Sequence, residues 1–223
     1  MQLYTPTEIN QTQQDLPYLI EIMEWVKSFL ARPHPHLGRS GPVCPFVPHA
    51  IKSNSIQFAV VRAKNMEPQQ VEEIVLRYRD IFLETEPRQG EAALSKTFLL
   101  IFPDIDIEDT PKLVDGVQQK LKPFFVDLGL MLGEFHKRNE TPGLHSQNFR
   151  PLQSPIPILA IRYMVESDLP FLQNTDNPRL LIRYIEAYLQ RFSQGFKDET
   201  KLNKALEVLT KAHEQLKQEN LLH

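Results

Sequence analysis

The side chains best suited to chemistry crowd into PHPHLGRSGPVCPFVPHA, residues 33–50, which holds five prolines, three histidines, two glycines and the chain's single cysteine. A thiolate ligates metals and attacks electrophiles, and a nearby cation favours that form. His34, His36, Arg39 and His49 all stand close in sequence to Cys44. Each proline fixes its own φ and removes a backbone donor, and each drives the preceding residue toward extended backbone. No regular helix can run through the segment, which reads as a preshaped loop presenting Cys44. Four readings of that thiol are open. It could be a small buried hydrophobe, the usual fate of a free cysteine. A structural zinc ligand is a second reading, although such sites pair their ligands and no second pair is present here. A nucleophile is a third, needing a base oriented by another group. A ligand to haem iron is the fourth, a Cys-Pro pair being one way to offer sulfur to it.

A second constellation is GLHSQNFRPLQSPIPILAIR, residues 143–162. His145 and Arg150 fall on a long irregular stretch from His136 to Pro155, and long loops in compact domains are usually functional or disordered. Arg162 shares a strand face with Ile158 and Ala160. A guanidinium on a mostly apolar face calls for a carboxylate. That carboxylate is either Asp168, Glu166 or Glu134 in a structural ion pair, or one belonging to a substrate or cofactor such as a haem propionate. His145 is the imidazole best placed for iron, or else an ordinary surface histidine. Asp104, Asp106, Glu108 and Asp109 lack the glycine and closing glutamate of a calcium loop. Phosphate-cradling and nucleophile-elbow motifs are absent.

The elements that must position these residues follow from periodicity. Residues 1–15 read as a polar arm, and Leu16 to Leu30 as a helix with Asp15 as its N-cap. Strands are expected at 56–61, 97–102, 128–135 and 156–165. Helices are expected from Glu67-Pro68 and from Thr110-Pro111, the latter kinked or ended by Pro123. A further helix starts at Asn177-Pro178, and Gly195 breaks the chain before a last one. There Leu202, Leu206, Leu209, His213 and Leu216 form a narrow seam. This order predicts an α+β fold: a small mixed or antiparallel sheet of about four strands packed by helices, with a C-terminal helical extension. Residues 1–195 form one expected domain. Residues 196–223 form an amphipathic helix packed on it, or on a second subunit in a homodimer.

Net charge is −3 and the cations are scattered, so the basic stripe of a nucleic-acid binder is missing. The first residues lack the cationic and apolar regions of a signal peptide. No run approaches the roughly 20 apolar residues of a membrane span. One cysteine cannot form an internal disulfide, which fits a reducing compartment. A cytoplasmic location is therefore expected.

The strings HPHLGRSGPVCPF (34–46) and SPIPILAIRYMVESDLPFL (154–172) together resemble a bacterial domain family of unknown function common in biosynthetic clusters. More remotely, the layout is similar to the YqcI/YcgG family, several of whose members are haem-dependent oxygenases acting on amino-acid nitrogen. In that resemblance Cys44 matches the family's cysteine, His145 its loop histidine, and Pro155 to Ile161 its strand. Ser146 and Phe149-Arg150 depart from the family's His-Pro and Arg-Arg. The resemblance implies a haem-binding oxidative enzyme acting on a small amine or amino-acid-like substrate. His145 would ligate iron and Cys44 would be a second ligand or a pocket wall. Arg39, His36 and Arg150 would line the cofactor, with Arg150 and Arg162 binding carboxylates. The residues alone leave a different reading open, a non-catalytic small-molecule or partner-binding domain that uses the 33–50 loop as its surface.

Overall fold

The structure, a computed structural model, describes residues 6–221. Its elements, in order, are α1 (Pro6–Trp25) continued by a π-turn (Val26–Leu30), α2 (Val47–Lys52), β1 (Ile56–Val60), α3 (Pro68–Glu84), α4 (Gly90–Ala93) and β2 (Thr97–Ile101). A second π-turn (Pro111–Asp115) leads into α5 (Gly116–Val126), β3 (Leu130–Phe135) and β4 (Ile158–Tyr163). A 3₁₀ turn (Glu166–Asp168), α6 (Leu169–Leu172), α7 (Pro178–Arg191) and α8 (Glu199–Leu221) complete the chain. The sheet is open and mixed, in the order β1-β2-β4-β3, with β1 and β2 parallel. This is the expected α+β class, with the expected C-terminal helix.

Local chemistry explains most boundaries. Glu67 N-caps α3, the Gln70 side chain accepts the Glu67 amide at 2.9 Å, and Pro68 takes the first turn, a position where its missing donor costs nothing. At the far end of α3, the buried Lys96 ammonium donates to the carbonyls of Phe82 and Thr85 at 2.7 and 2.5 Å. It thereby satisfies acceptors that the helix itself leaves open. Burial pulls the Lys96 pKa below the usual lysine value. Asn177 caps α7 through bonds from the amides of Arg179 and Leu180, the role expected of an asparagine there.

Two local expectations are corrected and a third is narrowed. Asp15 is no N-cap: α1 already runs from Pro6, and the Asp15 carboxylate pairs with Arg62. Gln11 Nε2 donates to the Asp15 carboxylate at 3.0 Å on an exposed stretch of that helix, and the residues before Leu16 carry no apolar periodicity to read; the first five residues of the expected arm lie outside the described ones. Pro123 sits inside α5, which continues to Val126, so of the two expectations for it only the end of the helix is overturned. In α8 the buried positions are Ala205 and Ala212, while His213 and Leu206 are exposed. The fully buried positions of α8 are alanines, with Leu209 of the expected seam and Val208 packed against the same core.

The chain divides into two compact units. The first takes residues up to 118 and 133–161, and its core centres on Ile22, Val26, Leu30, Ile101, Phe149 and Ile158. The second takes residues 119–132 and 162–223, with Met131, Met164, Tyr184, Ile185, Tyr188 and Ala205 at its centre.

Candidate functional site

The loop from residue 33 to 50 is tied down at both shoulders. Pro33 and Pro42 form an antiparallel bridge. The Val43 amide donates to the Arg32 carbonyl and the Cys44 amide to the Leu30 carbonyl, both at 2.9 Å. The Leu30 carbonyl lies in the π-turn that ends α1, and π-turns recur at functional sites. Leu37 and Val43 are buried, each worth about 1.5–3 kcal/mol of transfer free energy when fully removed from water. Cys44 is half-buried and packs against the core of the first unit.

The loop carrying His145 is equally constrained. The Gly143 amide donates to the Phe149 carbonyl at 2.9 Å, the Ser146 amide to the Gly143 carbonyl at 3.2 Å, and Phe149 is buried as its anchor. The two loops meet. Gly38, at φ +76°, approaches the His145 backbone so closely that a β-carbon there would stand 2.1 Å from the His145 carbonyl oxygen. The Phe149 ring stacks on His34 with centroids 4.5 Å apart. His34 Nδ1 accepts the His36 amide at 3.2 Å, so a neutral His34 carries its proton on Nε2. Around this contact lies a row of rings: Phe149 near Phe29 at 6.0 Å, Phe29 near Trp25 at 6.1 Å, and Trp25 edge-on to Phe135 at 5.7 Å. Phe29, Trp25, Phe135 and His34 are only half-buried, and His36 and His145 are exposed. The sequence singled out both loops but not this aromatic row, because its members come from α1, β3 and the loops.

Arginines expected to bind a cofactor or substrate are engaged within the protein. Arg150 pairs with Glu140 at 3.2 Å and donates to the Gln147 carbonyl at 2.6 Å. In the second unit Arg162 grips Asp168 through two bonds of 2.7 Å. This is the structural partner the strand pattern left open. Arg39 differs, donating to two neutral acceptors, the carbonyls of Ser40 and Val43 at 2.9 and 3.0 Å. Among the described residues no group of three or more histidines, cysteines or acids is assembled to hold a metal ion. A groove of about 420 Å³ opens between α1 and β1, lined by Leu16, Leu19, Ile20, Met23, Ile56, Gln57 and Phe58. Cys44 and His145 are not among its walls.

One pair escaped the sequence reading. His136, directly after β3, is buried and its Nε2 lies 2.9 Å from Asp115 on the second π-turn. Nε2–H donates to the Asp115 carboxylate, and Nδ1 is left buried with no hydrogen-bond partner. No spacing links residues 115 and 136, so only the fold could reveal them.

No helix among the described residues is long and apolar enough to cross a membrane. Neither the curated proteins nor the solved structures searched show a match to this chain. One family model does match, covering residues 19–218, which takes in both loops, the whole aromatic row and the His136–Asp115 pair. The chain belongs to the family described as a domain of unknown function, DUF6875.

Proposed function

We propose that the face where the 33–50 loop meets the 143–149 loop is a seat for a small flat ligand, and that the ligand is haem held for oxidation of a small amine or amino-acid-like molecule. The observation that carries this is the closed contact of Gly38 on His145, with Phe149 stacked on His34. It brings the 33–50 loop and the 143–149 loop into one surface edged by half-exposed rings. Flat aromatic faces suit a planar macrocycle, and an exposed imidazole on a pinned loop is a suitable donor to iron. The residues present therefore fit haem in donor set and in apolar wall. His145 would hold the iron and Cys44 would serve as wall or second donor. Arg39, bonded only to neutral carbonyls, is better placed than Arg150 or Arg162 to receive a propionate. When bound, the haem would supply the oxygen chemistry, and the protein would place it and the substrate.

The engaged state of Arg150 and Arg162 favours a second reading, a binding domain without catalysis on the same surface. A haemin titration followed in the visible tests haem binding, and oxygen consumption by the loaded protein separates catalysis from binding alone. Saturable growth of a Soret band, weakened at least tenfold in affinity by His145→Ala, supports haem binding. Consumption of oxygen with an amine substrate and a reductant then supports the oxidase reading. A preparation that takes up no haem removes the haem proposal.

A further inference from the structure

His49, the last histidine of the proline-rich stretch, takes no part in the contact between the loops. Its Nδ1 instead lies 2.7 Å from the Oγ of Ser95, 46 residues away. Other serines of this chain bond to backbone acceptors: Ser28 to the Glu24 carbonyl, Ser53 to that of His49, and Ser154 to that of Ile156. Ser95 is different, because its hydroxyl faces a base. With a neutral imidazole accepting at Nδ1, the proton in the bond comes from Oγ, the arrangement that activates a serine nucleophile. The backbone of both partners is tied down. Ser53 caps α2 at the His49 and Ala50 carbonyls, and Ser55 Oγ donates to the Ser95 carbonyl at 3.0 Å. His49 is exposed, and Ser95 keeps 8 % of its surface.

We propose that Ser95 is an acyl-accepting nucleophile and His49 its base, taking an acyl group from an activated ester. The Ser95 Oγ–carbon bond forms as the bond from that carbon to the leaving oxygen breaks. The Oγ proton passes to His49 Nδ1 and then to the departing oxygen. The amides of Ser95 and Lys96 are already bonded to the carbonyls of Ala92 and Ala93. Neither is spare to stabilise an oxyanion, a contribution that accounts for about a hundredfold or more in acyl-transfer enzymes. The pair therefore suits esters with good leaving groups and a single acylation, not amide hydrolysis.

The test is exposure of the full chain to p-nitrophenyl acetate, with intact mass and peptide mapping. One acetyl group should appear on the Ser95 peptide, and Ser95→Ala should remove it. His49→Gln, which can still hydrogen-bond but not accept a proton, should slow it at least about tenfold. Added free imidazole should restore part of the rate, a rescue that a purely structural His49 would not show. Acetyl groups on lysines with Ser95 unmodified would overturn the proposal. So would equal Ser95 acetylation in the wild type and in a folded His49→Gln protein.

Discussion

Gly38 and His145 stand in backbone contact, 107 residues apart in sequence (145 − 38), with no room for a β-carbon between them. Gly38→Ala should therefore force the loops apart. The positive φ costs about 1 kcal/mol for alanine, and displacing a carbonyl oxygen adds about 1–3 kcal/mol. Gly90→Ala is the control, since Gly90 has a similar φ of +74° and nothing within 4 Å of the added carbon. Urea unfolding should show Gly38→Ala losing clearly more stability than Gly90→Ala. Equal losses would mean that the contact is slack.

The pair Arg162–Asp168 should behave as structure. Asp168 is almost fully buried and also accepts the Val165 amide at 2.9 Å. Replacing Arg162 by Met leaves that carboxylate without its partner, which typically costs about 3–5 kcal/mol for a buried pair. Chemical denaturation measures it. A loss under 1 kcal/mol would free Arg162 for a ligand role.

Alkaline stability should depend on Tyr184. Burial pushes its phenol from an ordinary value of 10.0 up to about 12. A raised folded-state pKa means stability that is fully present below pH 10 and lost as pH rises toward 12. Urea midpoints across pH 9 to 12 should fall less steeply in Tyr184→Phe than in the wild type. Parallel curves would contradict the burial.

Asp115→Ala should strand the His136 Nε2 proton in a buried site and cost about 1–3 kcal/mol. The further change His136→Phe in that background should recover part of the loss, because it removes the polar group altogether. A second loss of similar size would show that the ring is needed for something besides its bond to Asp115.

Both loops were legible because proline, histidine and arginine are scarce enough in combination to stand out, and their stiffness is written into the residues themselves. The fold class followed from four apolar runs and from caps such as Glu67-Pro68 and Asn177-Pro178, which act locally. What could not be read depends on distance. The residues of α1 before Leu16 carry no apolar stripe in the sequence, the partner of His49 lies on the approach to β2, and the His136–Asp115 bond spans a helix and a strand. In α8 the leucine spacing was visible, but the buried line runs through Ala205 and Ala212, since close helix packing selects for small side chains as readily as for large ones.

Trp25 is the chain's single tryptophan and lies in the aromatic row beside the two loops. Its fluorescence during a haemin titration therefore reports occupancy of the proposed seat. A quench that saturates at one equivalent, and needs at least tenfold more haemin in His145→Ala, is the predicted result. Fluorescence that falls in the same shallow, unsaturating way in both proteins would contradict it.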